Sequence, residues 1–503
     1  MNQGKRMKED KKSMKSGNKK TPLLFKLITL AYLVITIIFF VSIIKMNMLP
    51  GKYVLIFSLV ELILTILVTL GLWKPKKLCK TNVICTIIAI ILSVVYIFAT
   101  NYANVTMKFL KNMVKEALET EEYYVVVQKN SQYNKPIDLK GKEILMFKIE
   151  EDVKKDIIDK AKATLVEKES LSEVGSNLIE GYADAIAVSS SQYDMLDEEI
   201  KDFKANTKII HTSTHVIKTA SIDDTQSKYN VEGKAFNIYI TGIDTSGNIS
   251  NVARSDANII ATVNLNTHEI LLTSIPRDYY VTLHRYGAKD KLTHSGIYGV
   301  NETVTTVEDL LDIDISYYVR VNFTTVIKLV DELGGIEVNS DYAFTTNGTH
   351  YSFKKGINYL DGDAALAFSR ERYSFEDGDN QRVKNQQKVI SAIIDKVTSS
   401  TTILTKYTSI LSALEGSFQT NIGQDELSKI VKDQLNTMPS WTIKSNSLTG
   451  TGDYASTYSM GSQELYVMRP DETSVKTATQ KINEVLGKQA TTFRANKLVK
   501  LLQ

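Results

Sequence analysis

Asn258-Ile259-Ile260-Ala261-Thr262-Val263-Asn264, the turn Leu265-Asn266-Thr267, and Glu269-Ile270-Leu271-Leu272-Thr273-Ser274-Ile275 form the stretch on which the fold class turns. Two apolar runs of strand length around a short polar turn predict a β-hairpin. Just upstream, Ala235 to Thr241 reads as a buried strand. Downstream, helical spacing of apolar residues occupies roughly Val300 to Leu311, Asn322 to Leu333, Gly362 to Phe368, Asn380 to Thr398 and Gln424 to Thr437. Gly334-Gly335 closes one of these as a helix stop should. Strands followed by helices predict an α/β (α+β) domain over residues 226–503.

Residues 101–225 read as a smaller α/β unit. A helix is expected over Thr106 to Tyr123 and strands over Tyr124 to Val127 and Ile144 to Ile149. Next come a helix over Glu151 to Leu165, a strand over Asp184 to Ser189, a helix over Ser191 to Phe203 and a strand over Thr207 to Ile217. His211 and His215 share one face of the last strand; no third ligand lies nearby, so a zinc site is not expected. The polar stretch Ser221 to Gly233 reads as a linker.

A chain of 503 residues is too long for one compact domain. Three apolar spans, roughly Leu23 to Ile44, Tyr53 to Trp73 and Val83 to Ala99, approach the roughly 20 residues that cross a bilayer. The third is the shortest. The expected division is a basic cytoplasmic tail (1–22), three transmembrane helices (23–100), and two extracellular domains (101–225 and 226–503). Residues 1–100 carry 15 Lys+Arg against 3 Asp+Glu, and the remainder 45 against 54. The basic excess lies in the tail and in the loop between spans two and three, which places both in the cytoplasm. The large polar part is mildly acidic, so nucleic acid is not an expected partner. Glu61 lies within span two with no partner evident from the sequence; helix packing is its plainest reading. The two cysteines, Cys79 and Cys85, both precede the polar region, which therefore has no disulfide and no thiolate metal site.

That polar region is rich in local pairs of arginine and aspartate. Asp244 ends Gly242-Ile243-Asp244, at a strand end beside a turn. Arg254 and Asp256 are two apart and project to one side if extended. Arg277 follows Pro276, which stiffens its support; the plain alternative is an Arg277–Asp278 surface pair. Arg370 and Arg372 flank Glu371 and, if extended, share a face as a planar-fork clamp with Glu371 outward. Asp379, Arg382 and Gln386 line one helix face, with Asp379 as a plain N-cap the alternative. Carboxylates able to hold a divalent cation, with arginines around them, suit a pyrophosphate; beside membrane spans its expected source is a lipid. Oxygen ligands with no His or Cys favour Mg²⁺ or Mn²⁺ over zinc. No serine-hydrolase elbow and no glycine-rich nucleotide loop occur, and His284 and His294 have no clear nucleophile beside them.

The series Gly242-Ile243-Asp244, Arg254-Ser255-Asp256, Ser274-Ile275-Pro276-Arg277-Asp278, Leu333-Gly334-Gly335-Ile336, Leu360-Asp361-Gly362, Arg370-Glu371-Arg372 and Gly378-Asp379 with Arg382 resembles the LytR–CpsA–Psr family over roughly residues 232–400. The three spans, the extra outer domain and Arg370-Glu371-Arg372-Tyr373-Ser374 resemble its capsule-type CpsA branch. The resemblance implies a mixed sheet flanked by helices. It also implies a Mg²⁺-dependent phosphotransferase that moves a glycopolymer, of capsular type, from an undecaprenyl-pyrophosphate carrier to peptidoglycan outside a Gram-positive membrane. Capsule assembly proteins are then further expected partners. By matching position, Asp244 and Asp256 would serve the metal, and Arg254, Arg277, Arg370 and Arg372 the pyrophosphate. Asp379, Arg382 and Gln386 would support it, and Asp244 would take the acceptor proton. Asn385-Gln386-Gln387 departs from the arginine that many members carry at the first of these positions. The family also implies an apolar cavity for the lipid, for which Phe323, Val326, Ile327 and Val330 are candidates; such a stripe is more often core. Two rival readings use the same residues differently: a polyprenyl-pyrophosphate phosphatase, with water as acceptor, and a non-enzymatic membrane regulator of capsule assembly.

Overall fold

The computed structural model describes residues 23–73, 80–113, 119–217, 234–243, 249–348, 350–399, 409–411, 413–437 and 439–487. The chain forms two compact units, Met1–Lys108 with Ser428–Met438, and Phe109–Leu427 with Pro439–Gln503. The expected linker Ser221 to Gly233 lies outside the described residues, as does Cys79.

In the first unit, the helices Leu23–Met46 and Gly51–Leu72 and the stretch Lys80–Phe109 are each long and apolar enough to cross a membrane. Their outward aliphatic side chains are exposed, as a lipid-facing surface requires, while Phe39 and Tyr96 stack at 4.7 Å between ring centroids. Glu61 does have partners: the hydroxyls of Tyr32 and Thr65 each donate to its Oε1 at 3.2 Å. This supports helix packing through a satisfied polar group. The third span is not the shortest, because its helix continues from Lys80 to Met113. The helix expected over Thr106 to Tyr123 therefore belongs to that span, and Glu119–Gln128 is a strand. Tyr123 to Val127, β-branched and aromatic, is better satisfied by sheet partners on both sides than by another helical turn.

In the second unit, residues 119–217 build a five-stranded sheet in the order Thr164–Glu167, Glu143–Met146, Ala185–Ser189, Glu119–Gln128, Thr207–Ile217. The helix from Glu151 stops at Ala161 rather than Leu165, because Lys162 closes it in the left-handed region (φ 52°). Thr164–Glu167 then pairs in parallel with Glu143–Met146. That strand and the helix Leu171–Ile179 are absent from the sequence reading. His211 and His215 meet Asp156 and Asp152 at 2.8 and 2.7 Å, so each ring is tied to the helix Glu151–Ala161.

A six-stranded mixed sheet carries the larger lobe. Its order is Phe418–Thr420, Tyr317–Val321, Ala235–Ile243, Ser255–Asn264, Glu269–Ser274, Thr442–Ser447. The hairpin read from Asn258 to Ile275 supplies its fourth and fifth strands, and Ala235–Ile243 pairs in parallel with Tyr317–Val321. The two lobes are knit together. Thr120 N donates to Ser250 O (2.9 Å) and Val252 N to Thr120 O (3.0 Å). Arg320 Nη1 reaches Glu119 Oε1 at 2.5 Å, both groups fully buried. Met460 and Leu465, on the hairpin Gly450–Thr457 and Gly461–Pro470 and its turn, are buried in the core of the smaller lobe with Leu171, Val174 and Leu196.

Candidate active site

Asp256 stands out of the sheet because its strand bulges. Gly242 pairs with Ala257 and Ile243 with Ser255, which leaves Asp256 as the extra residue and re-aims its side chain. Its Oδ2 accepts from Arg277 Nη1 (3.0 Å) and its Oδ1 from the Thr293 hydroxyl (2.7 Å). Burial alone would raise this carboxyl; Arg277, Arg254 and Arg382 overcome that and hold it well below the usual carboxylate range.

Arg277 extends from the end of the strand Glu269–Ser274, with Pro276 before it and its carbonyl held by Thr293 N (2.8 Å). The pair with Asp278 exists at 3.7 Å, but it is not a surface pair: both side chains are largely buried, and Asp278 also meets Lys291 Nζ at 3.2 Å. Arg382 pairs with Asp379 one turn earlier on the helix Asp379–Ser399. Burial pushes Asp379 above the usual carboxylate range; Arg382 opposes this and the like charge of Asp278 adds to it. Neither Asp379 oxygen accepts a hydrogen bond in good geometry, and Arg277 Nε and Arg382 Nε donate none. Asp379 Oδ1 keeps its ion pair with Arg382, but buried groups normally find hydrogen-bond partners too, so Asp379 Oδ2, Arg277 Nε and Arg382 Nε in one cluster mark a place for a charged ligand.

Arg370 ends the helix Gly362–Arg370, so the two arginines are not on one extended segment as the spacing suggested. Glu371 corrects the expectation further. It is buried, and accepts from Asn347 N (2.7 Å) and Ser374 N (2.9 Å). Turning Glu371 inward leaves Arg370 and Arg372 to the cavity, Arg370 over the Phe323 ring (4.0 Å) and Arg372 over Tyr373 (4.5 Å). The helix start is fixed by Gly362: a Cβ there would come within 2.3 Å of the Ile327 carbonyl oxygen.

Asp256, Arg277, Arg370, Glu371, Arg372 and Arg382 line one cavity of about 980 Å³, whereas Arg254, Asp278 and Asp379 do not. Its charged end holds Asp256, Arg277, Arg370, Arg372, Arg382 and Gln386. Aliphatic side chains supply a large share of the remaining lining, Ile240, Ile259, Val319, Val321, Leu329, Leu366, Val389, Ile390, Ile393 and Ile394, and polar groups such as Asn322, Thr325, Asp363 and Glu371 lie among them. Of the four lipid-cavity candidates, Phe323 and Val326 line it. Val330 is fully buried core. Ile327 faces the neighbouring helix through its backbone. The wall from Gln386 to Ile394 repeats at helical spacing after Arg382 and was legible as an apolar stripe. Asn385, the departure from the family pattern, is fully buried and donates to Phe368 O (3.3 Å). Thr293 carried no signal in sequence. Neither did Glu198, which lines the cavity and meets Arg254 Nη1 at 2.5 Å. Asp244 lies outside the described residues.

His294 does meet a serine. Ser459 Oγ and Asp290 Oδ1 contact its Nδ1 at 2.6 and 2.7 Å, all three residues buried. Both partners share one ring nitrogen, so no Ser–His–Asp relay is formed.

The larger lobe is thus a mixed α/β sheet domain whose cavity gathers arginines beside aliphatic side chains. The chain belongs to the LytR_cpsA_psr family, which matches residues 203–482. It is 37% identical over 231 residues to the polyisoprenyl-teichoic acid–peptidoglycan teichoic acid transferase TagU of Enterococcus faecalis, covering 45% of this chain and 74% of that protein. To TagU of Bacillus subtilis it is 35% identical over 254 residues, 50% and 78% of the two chains. The crystal structure of B. subtilis TagU superposes with a TM-score of 0.40 at 34% identity, covering 52% of this chain and all of that one. TagT bound to LI-WTA gives 0.42 at 27% identity, covering 54% and 100%.

Proposed function

We propose that this protein is a transferase that moves a glycopolymer from a polyisoprenyl-pyrophosphate carrier to peptidoglycan. The observation that carries this is one cavity lined both by a cluster of arginines and by a run of aliphatic side chains. A polyisoprenyl pyrophosphate combines the same two characters, and the TagU relatives are named for a polyisoprenyl-teichoic acid. Capsular polysaccharide is the glycopolymer proposed here, on the resemblance to the capsule branch. Undecaprenyl is the proposed chain.

The aliphatic wall takes the isoprenoid, which fixes the pyrophosphate at the charged end. Arg277, Arg382, Arg370 and Arg372 neutralise its oxygens and hold the phosphorus in place. The acceptor sugar oxygen attacks the phosphorus next to the glycopolymer. The new P–O bond forms as the bond to the bridging oxygen breaks. Polyisoprenyl phosphate leaves, and the acceptor proton passes to a carboxylate, proposed to be Asp244. Such a transfer depends on positioning and charge neutralisation more than on covalent chemistry. Among the described residues the donors open to a hard cation are carboxylates alone: Asp256, whose two oxygens already accept from Arg277 and Thr293, and Asp379, whose Oδ1 pairs with Arg382; no three His, Cys, Asp or Glu residues gather there. Mg²⁺ (or Mn²⁺) bound by Asp244 and Asp256 together with substrate phosphates would add to the charge neutralisation.

The three spans would place the N-terminal tail in the cytoplasm and both lobes outside. A reporter fused after Gln503 should be active only outside the cell; cytoplasmic activity would refute the location and with it the substrate. The reaction is tested with purified full-length protein, a lipid-linked glycopolymer and peptidoglycan. Polymer should become covalently attached to peptidoglycan, and Arg372→Ala should lower the rate by about a hundredfold or more. Release of free phosphorylated polymer whether or not peptidoglycan is present would instead identify a phosphatase.

A further inference from the structure

The helix Ser190–Glu199 of the smaller lobe ends beside the cavity. Glu198 lines that cavity, and its Oε2 lies 2.5 Å from Arg254 Nη1. The Arg254 side chain is 8% exposed and that of Glu198 51%. The contact is not incidental to loose packing. The strand Glu119–Gln128 of the same lobe hydrogen-bonds through Thr120 to Ser250 and Val252, a few residues before Arg254. Buried Glu119 holds Arg320 and the backbone of Val300. The smaller lobe is thus fixed against the segment that presents Arg254.

We propose that Glu198 is a positioning residue of the active site: a fixed counter-charge on Arg254, by which the smaller lobe sets how tightly the site holds a pyrophosphate. This rests on the pyrophosphate reading of the cavity. The sign follows from Coulomb's law. A carboxylate in the cavity wall repels the phosphate oxygens and offsets the positive field of Arg254, which is not itself a lining residue. Burial would raise the Glu198 carboxyl, but Arg254 and then Arg277 hold it below the usual carboxylate range, so it is ionised at neutral pH. The benefit is turnover: several arginines around a pyrophosphate also hold the leaving polyisoprenyl phosphate, and a nearby negative charge weakens that product complex.

The test uses full-length protein in detergent, geranylgeranyl pyrophosphate as probe, and calorimetry. Glu198→Gln should bind the probe about three- to tenfold more tightly than wild type at low salt, the effect being limited by the half exposure of the side chain. Glu198→Asp should stay near wild type, and Glu198→Lys should bind more tightly than Glu198→Gln. At 1 M salt, where screening acts over about 3 Å, the differences should narrow. In the transfer assay Glu198→Gln should lower KM and lower kcat. A residue that merely braced the fold would weaken binding in all three variants. Tight binding by wild type with no gain in Glu198→Gln overturns the counter-charge. No binding by wild type, with Arg277→Ala no different, overturns the pyrophosphate reading and this inference together.

Discussion

Arg277→Ala should abolish glycopolymer transfer, with a loss on the order of a thousandfold or more. Arg277 touches Asp256, pairs with Asp278 and lines the cavity at once. Its removal subtracts a charge-assisted donor where charge develops, and it also leaves the Asp256 carboxylate buried without its nearest cation. The second effect should raise the Asp256 carboxyl towards, or above, its ordinary range and destabilise the fold by about 3 kcal/mol at neutral pH. That penalty should fade as the pH falls and Asp256 takes up a proton. Arg277→Lys separates the two effects. It keeps the charge and most of the stability but lacks the planar fork, so transfer should recover only in part. Rates of polymer attachment and thermal melts of all three proteins are the measurements. Transfer by Arg277→Ala within tenfold of wild type would remove this arginine from the mechanism.

The largest effect on stability should come from a residue outside the cavity. Arg320 is the largest fully buried side chain among the described residues, and its partner Glu119 is equally inaccessible. Arg320 also donates to Gln419 Oε1 (3.2 Å) and Asn251 O (2.8 Å). Arg320→Met leaves Glu119 buried with its charge unpaired, which costs about 3–5 kcal/mol. The double variant with Glu119→Gln should recover most of that loss, since removing both charges removes the uncompensated one as well. Urea unfolding of the detergent-solubilised chain measures both. If the single variant unfolds at the wild-type midpoint, the pair does not join the lobes energetically.

What the sequence revealed about this molecule depended on distance along the chain. The hairpin from Asn258 to Ile275 and the helices Val300–Leu311 and Gln424–Thr437 were legible because periodicity and turn residues are local signals. Arg370, Arg372, Arg382 and Gln386 were legible as chemistry, and the fold brings them to one cavity. Their presentation was not. The inward turn of Glu371 depends on backbone donors from Asn347, more than twenty residues away. The bulge that re-aims Asp256 is a matter of strand register, which one strand's sequence does not encode. Glu198 stands in a lobe of ordinary composition, and only tertiary packing brings it to Arg254. The four-residue strand Thr164–Glu167 is too short to show a period at all.

The placement of Met460 and Leu465 bears on how this chain is made. The ribosome finishes the strands Glu119–Gln128 to Thr207–Ile217 first, yet Leu171 N waits for the carbonyl of Met460 (3.1 Å). Until nearly all the remaining polypeptide has been synthesised, the face around Leu171, Val174 and Leu196 lacks its last two side chains. A nascent or prematurely terminated copy therefore displays an oily patch that proteases and chaperones recognise, and only a finished chain hides it.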